Sequence, residues 1–312
     1  MKSSDRSAPD QSTLKTQYDQ HAPTAREFAK VLTGEIETVL KERQITPALP
    51  VHWRVKQWES IEDKIVRKDL KIENVLDLQD LTGLRIVLHF EREVAPVCAS
   101  LTEVFSVIQQ QRKGEALAAE EFGYQSTHLT VKLPDHWASV PSMKPYSSLM
   151  AEIQIRTVAQ HAWAAASAIL QYKQKGSVPP AIVRSLSRVS ALLEMVDLEF
   201  ERVLVERAEY RAQIADLRDS ELLNVDILEK VLDSIWPMEN KSEHEPYALL
   251  LYEITKRGIK TATELKSFIQ PRYKAVMKEE RERSGQSDVP ERLARGVYFT
   301  HTGLTRMAMF GL

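Results

Sequence analysis

The sequence predicts an α+β chain in which a mixed β-sheet flanked by helices is followed by an all-helical module. Three observations predict it. Between residues 51 and 157 several segments alternate apolar and polar residues with period two, and helically spaced segments separate them. Past Gly176, Pro179 and Pro180 the spacing is helical throughout. The 312 residues are 43% hydrophobic, the content of an ordinary water-soluble chain with enough apolar material for two cores.

In chain order, residues 1–20 are rich in Ser, Asp, Gln and Lys and read as a flexible tail or the approach to a helix. Phe28, Val31, Leu32, Ile36, Val39 and Leu40 recur at helical spacing until Pro47 and Pro50 close the segment. Val51, Trp53 and Val55 then alternate with His52, Arg54 and Lys56, giving a strand with one apolar and one basic face. From Glu59 to Lys71 the spacing turns helical again, and Lys64, Arg67 and Lys68 fall on adjacent turns where they can converge with Arg54 and Lys56. Leu84–Phe90 is the second strand, Val94–Gln110 a helix, Gln111–Phe122 a surface loop, Thr127–Leu133 the third strand, Met150–Thr157 the fourth, and Val158–Lys173 a helix. The domains expected are therefore a tail (1–20), a sheet domain (21–176) and a helical module (177–312).

In that module Val189, Leu193, Val196, Phe200, Val203, Tyr210, Ile214 and Leu217 follow an alternating four and three spacing, interrupted by Arg207. Such a seam packs either on the module's own helices, around Val225–Trp236 and Tyr247–Ile254, or on another subunit as a homo-oligomer contact. Gly258 followed by Thr261 and Glu264 has the pattern of a helix stop and a capping box, as in a helix-turn-helix. Arg272, Lys274, Lys278, Arg281 and Arg283 are interleaved with Glu279, Glu280 and Glu282, so this run reads as a solvated helix and not as a phosphate-binding surface.

Composition excludes several classes. A formal charge of -2 gives no overall field for nucleic acid or anionic membrane, so any basic site is local. The single Cys98 opens an apolar helix and reads as a buried, inert thiol, with no internal disulfide possible. No charged-then-apolar leader and no apolar stretch near the roughly 20 residues of a membrane span occur, so a cytoplasmic location is expected, with no membrane partner. The ten glycines match neither a dinucleotide fingerprint nor a P-loop, and there is no HExxH or cysteine cluster for zinc. Phosphate, if bound, is held by side chains.

The densest chemistry lies in Ala151–Thr157, where alternation turns Glu152, Gln154 and Arg156 to one face. That row is either a salt-bridged sheet face or a surface holding a metal and a phosphorylated substrate. Leu78–Val87 and Phe122–Val131 add to it, and the three segments together read as one nucleotide site. Asp80 and Glu152 fall at the edge of neighbouring strands, where two carboxylates hold Mg²⁺ while substrate phosphates complete its octahedron; uncompensated, they would repel. Arg54, Lys56, Lys64, Arg67 and Lys68 offset most of a nucleoside triphosphate's charge.

Arg54-Val55-Lys56 with Ser60, Lys64, Arg67 and Lys68, then Asp80–Arg85, Gly123–His128, Glu152–Thr157 and finally Trp163 with Tyr172-Lys173, resemble the synthetase domain of the RelA/SpoT alarmone synthetases over about residues 23–176. The chain has no His-Asp dipeptide, in keeping with members that lack a hydrolase domain: the small alarmone synthetases and their toxin relatives. The resemblance implies a nucleotidyltransferase-like sheet domain and Mg²⁺-dependent transfer of pyrophosphate from ATP to the 3'-hydroxyl of GDP or GTP, making (p)ppGpp. It implies that Arg54 and Arg85 sandwich adenine, that Lys56, Lys64, Arg67 and Lys68 hold the ATP phosphates, and that Asp80 and Glu152 hold the metal, with Glu152 also the base. Tyr124 would stack on the acceptor base, and His128, Gln154 and Arg156 would position acceptor phosphates or the 3' end. Two departures stand out: an acidic segment, Glu115–Phe122, where the family carries lysines, and Ser167-Ala168 where it carries Glu-His. They open two alternatives, a toxin-like enzyme acting on an adenine nucleotide or a tRNA 3' end, and a catalytically silent nucleotide-binding regulator.

Overall fold

Five strands, β1 (Leu49–Val55), β2 (Thr82–Leu88), β3 (Ser106–Lys113), β4 (Ser126–Lys132) and β5 (Ala151–Thr157), form one mixed sheet in the order β1-β2-β5-β4-β3. The computed structural model describes residues 11–68, 70–113, 126–170, 179–213, 221–285 and 298–311. Only β2 and β5 run parallel; the other pairs are antiparallel. The register lines up Arg54, Gly83, Glu152 and Thr130 across four strands, and His52, Arg85, Gln154 and His128 in the next row of the same face. Period two then sends Leu84, Ile86, Ile153, Ile155, Leu129 and Val131 to the opposite face, where they are buried with Phe28, Leu32 and Ile36 of helix α1 (Gln11–Glu42) and with Val97 and Leu101 of α3 (Val94–Val104).

A second, smaller core positions the segment that carries Asp80. Leu14, Tyr18 and Ala22 of α1 pack on Trp58 and Ile61 of α2 (Trp58–Lys68) and on Val75, Leu78 and Leu81. The Tyr18 and Trp58 rings meet with centroids 5.8 Å apart. Gln17 accepts a hydrogen bond from the Val75 amide at 3.0 Å, and Asn74 caps the short turn Val75–Asp77 in a capping box with Asp77. Both ends of the approach to Asp80 are thus fixed before the chain enters β2.

Three expectations need correction. The segment 11–20 is helical, because Leu14 and Tyr18 find this second core; residues 1–10 lie outside the described residues. The helix expected over Val94–Gln110 ends at Val104, and Ser106–Lys113 is a strand at the sheet edge, so the expected loop is strand over residues 111–113, and its remainder, 114–122, lies outside the described residues. Leu101, Val104, Phe105 and Ile108 mimic helical spacing, but Phe105 is already extended and the backbone bonds to β4 decide. The chain divides into two compact units at Leu204/Val205, inside α6 (Pro180–Gln213), and not near residue 177. Of the expected seam on α6, Val189, Val196, Phe200, Val203 and Tyr210 are exposed and Leu193 is half-buried, while Ile214 and Leu217 lie outside the described residues. After the short α4 (Asp135–Ala138), the expected Val158–Lys173 helix is α5 (Val158–Leu170), with residues 171–173 outside the described residues.

The second unit is helical, as expected. Its α7 (Val225–Ile235), α8 (Tyr247–Lys256), α9 (Ala262–Ile269), α10 (Tyr273–Ser284) and α11 (His301–Phe310) enclose a core that includes Leu228, Leu232, Trp236, Leu250, Leu265 and Leu304. Gly258, at φ 85°, stops α8, and Thr261 and Glu264 form the capping box that starts α9. The Arg/Glu run lies on α10, with Arg283 bridging Glu279 and Lys278 bridging Glu282, although Glu280 is buried.

Ile153 is fully buried at the centre of the first unit's core. Ile153→Ala should lower stability by about 2–5 kcal/mol, read from equilibrium urea unfolding.

Candidate active site

The polar rows of the sheet face a cavity of about 280 Å³ lined by Arg54, Asp80, Arg85, Glu152, Gln154 and Arg156. Helix α5 covers it with Ala164, Ala165 and Ala168, whose methyl groups leave the volume open. Gly83 stands between Arg54 and Glu152 in the row; a Cβ there would meet Arg54 Cγ at 3.7 Å, an ordinary contact.

Two clusters meet at this cavity. In the first, Asp80 Oδ2 accepts from Lys56 Nζ at 2.7 Å, and Lys64 Nζ donates to both carboxylate oxygens at 2.9 Å. Burial alone would raise the Asp80 pKa, but the hydrogen bonds and charges of the two lysines outweigh it and hold the carboxyl below the usual range. In the second, Ser126 Oγ lies 2.9 Å from His128 Nε2, and His128 Nδ1 lies 2.8 Å from Glu152 Oε1. Gln154 Nε2 donates to Glu152 Oε2 at 2.8 Å, and Arg156 Nη2 donates to Gln154 Oε1 at 2.6 Å. One hydrogen-bonded line therefore runs from Ser126 to Arg156.

The cationic side of the cavity is crowded. Burial first, then the neighbouring Arg85 guanidinium, pushes Arg156 down to about 10, Glu152 acting the other way, and its Nε is buried without a hydrogen-bond partner. Burial and Arg54 likewise lower Arg85, which contacts His161 Nδ1 at 3.3 Å. His161 and His52 are both lowered, by burial and then by Arg85. Guanidiniums destabilised in this way are relieved by an anion, and phosphate is the anion their fork geometry matches.

A larger groove, about 980 Å³, lies against α3 and is lined by Glu91, Arg92, Cys98, Arg112 and Glu201 among others. Its charges pair with one another, Arg112 with Glu91 at 3.2 Å and Arg92 with Glu201 at 2.6 Å, and none of the expected site residues lines it. Burial pushes the Cys98 thiol up to about 11, which keeps it inert as expected.

Of the residues expected at the site, Arg54, Asp80, Arg85, Glu152, Gln154 and Arg156 line one cavity, Lys56 and Lys64 join through Asp80, and His128 joins through Glu152. Arg67 is exposed on α2 and does not line the cavity. The Lys68 side chain and Tyr124 lie outside the described residues. Both ring nitrogens of the buried His128 are engaged, Nε2 by Ser126 and Nδ1 by Glu152. Ser126, His52 and His161 were given no role from sequence; the Ser126-x-His128 alternation was the available signal for the first.

The two carboxylates are not uncompensated, as the sequence suggested: Asp80 is paired with two lysines and Glu152 with His128 and Gln154. Among the described residues no group of three or more His, Cys, Asp and Glu side chains is placed to hold a metal. The oxygens of Asp80 and Glu152 at one cavity fit a hard divalent ion whose remaining ligands come from phosphate and water.

The sheet face and α2 bring two carboxylates, two lysines and three arginines together in and beside one cavity, the residue types that phosphoryl-transfer enzymes place around a nucleotide. The model of a region found in RelA / SpoT proteins matches residues 53–177. The GTP pyrophosphokinase YjbM of Bacillus subtilis (strain 168) is 31% identical over 191 residues, covering 60% of this chain and 87% of that protein. A second relative, GTP pyrophosphokinase YwaC of the same organism, is 29% identical over 147 residues, 46% of this chain and 68% of that protein. The crystal structure of small alarmone synthetase 1 from B. subtilis bound to its product pppGpp matches with TM-score 0.54 at 27% identity, over 62% of this chain and 99% of that one. The chain belongs to the RelA/SpoT family. Its relatives are pyrophosphokinases, the class of enzyme the sequence implied, and the mixed sheet with flanking helices is the fold they share.

Because the Asp80 carboxyl is held below its ordinary pKa, its contribution to stability is complete above the unfolded value near 3.9 and fades as pH falls through the lower folded value. The stability difference between the natural chain and Asp80→Asn should be flat from about pH 5 to 8 and shrink below about pH 4. Thermal unfolding across that range checks it.

Proposed function

We propose that the chain transfers pyrophosphate from ATP to the 3'-hydroxyl of GDP or GTP, making (p)ppGpp. The observation that carries this reading is Glu152, oriented by His128 and Gln154, at the same cavity as the Asp80–Lys56–Lys64 cluster. Arg54 and Arg85 flank the adenine, and Lys56, Lys64, Arg67 and Lys68 take the triphosphate. Lys56 and Lys64 hand over from Asp80 to phosphate oxygens when ATP arrives, which frees Asp80. Tyr124 stacks on the acceptor base, while Gln154 and Arg156 set the acceptor's 3' end. Glu152 accepts the 3'-hydroxyl proton as that oxygen bonds to the β-phosphorus and the bond to the α-phosphate oxygen breaks, releasing AMP. Mg²⁺ held by Asp80 and Glu152 would neutralise charge on the transferring phosphates.

A second acceptor class is favoured by one feature. Glu115, Glu120 and Glu121 stand in the sequence where the family carries lysines, a departure that leaves an adenine nucleotide or a tRNA 3' end as alternative acceptors. The exposed apolar residues of α6 support a homo-oligomer, since a stripe of that length is covered by a partner surface. Among the described residues no helix is long and apolar enough to cross a membrane, which fits the cytoplasmic location we assign.

Incubation with Mg²⁺, β-labelled ATP and separate pools of GDP, GTP, ATP and tRNA tests the reading. Label should move to GDP or GTP, and Asp80→Ala and Glu152→Ala should each lower the rate by about 10²-fold or more. Label in another pool selects the second acceptor; unchanged turnover in either variant removes that carboxylate from the chemistry.

A further inference from the structure

Helix α5 covers the cavity with Ala164, Ala165 and Ala168, and helical spacing places His161, one turn earlier, on the same face. Its half-buried ring reaches the sheet: His161 Nδ1 lies 3.3 Å from Nη1 of Arg85, which stands on β2 between His52 of β1 and Gln154 of β5. A guanidinium only donates, so Nδ1 is the acceptor and the neutral ring carries its proton on Nε2. Burial first, then the charges of Arg85 and Arg156 and the His52 ring, favour that neutral form. Among the described residues Arg85 has no carboxylate partner; its charge faces that of Arg54.

We infer that His161 is a positioning residue for the donor nucleotide: it fixes the plane of the Arg85 guanidinium without cancelling its charge. This rests on the proposed role of Arg85 against the adenine. The N–H bonds of a guanidinium lie in its plane, so an acceptor at Nη1 restrains rotation of the group and leaves its π faces clear for a base. A carboxylate in the same place would orient Arg85 as well, but it would offset the charge that draws an anionic nucleotide; a neutral imidazole does not. The same bond ties the covering helix to the sheet beside the cavity. Without the ring, Arg85 is free to turn away from Arg54, and ATP must order it on binding.

The test pairs steady-state kinetics with calorimetric binding of α,β-methylene-ATP, whose α–β bridge cannot be cleaved, to the full chain in the presence of Mg²⁺. His161→Ala should weaken that binding and raise the KM for ATP by about 10-fold, with kcat and the acceptor KM held within about 2-fold. His161→Asn, whose Oδ1 takes the place of Nδ1 as a neutral acceptor, should return the affinity to within about 3-fold of the natural chain. Because His161 acts through Arg85, adding His161→Ala to Arg85→Ala should weaken binding no further. Unchanged affinity in His161→Ala, equal losses in His161→Ala and His161→Asn, or additive losses in the double variant overturn the inference. If Arg85→Ala binds the analogue as tightly as the natural chain, the donor role of Arg85 fails and the inference with it; if Arg85→Ala weakens binding and His161→Ala does not, the positioning role alone fails. If the natural chain binds the analogue but transfers nothing to any acceptor, the proposed reaction fails, while the binding cycle still decides the role of His161.

Discussion

Charge pairing on the polar face of the sheet is the constraint on which the rest of the site depends. Ionised groups half-withdrawn from water are tolerated only with partners, and here each carboxylate has them: Asp80 two ammoniums, Glu152 a histidine and an amide. The two pairings differ in kind. Lysine ammoniums on flexible stems can be given up to a better anion, whereas the Ser126–His128–Glu152–Gln154–Arg156 line is built from strand residues and keeps its geometry. In the proposed reaction one cluster exchanges partners with a triphosphate, and the other holds the base still.

The fold supplies both through ordinary packing. Parallel pairing of β2 with β5 sets Gly83 beside Glu152, so Asp80, three residues earlier on the approach to β2, arrives at the same cavity. The small core around Tyr18, Trp58 and Val75 fixes α2 against that approach, which is why Lys64 reaches Asp80 across sixteen residues of sequence. Burial first, then a neighbouring guanidinium, lowers the proton affinity of Arg156 and Arg85, a strain that a bound phosphate would relieve.

Much of this was legible in the sequence because period two is an unambiguous signal where one face is buried. The alternations at Val51–Lys56, Thr127–Leu133 and Ala151–Thr157 placed strands, core face and polar row together. Where the signal failed, a competing pattern was present. Ser106–Lys113 is a sheet-edge strand rich in glutamine, with its one exposed isoleucine at a helical distance from Leu101 and Val104, so pattern alone favoured a longer helix. The early start of α1 was hidden because Leu14 and Tyr18 are sparse among polar residues, and only Trp58 and Val75, far along the chain, explain their burial. Within the site, residue types told which groups gather but not how they pair: nothing in the spacing said that Asp80 would be neutralised by Lys56 and Lys64, or that His128 would turn both nitrogens to protein partners.

The central claim, that the site's carboxylates are already paired and accept a cation only together with nucleotide phosphate, is tested most directly by titrating Mg²⁺ into the nucleotide-free chain in a calorimeter. No saturable binding is expected up to millimolar Mg²⁺, because Lys56 and Lys64 occupy Asp80. A stoichiometric isotherm in the micromolar range without nucleotide, lost in Asp80→Asn, would contradict it.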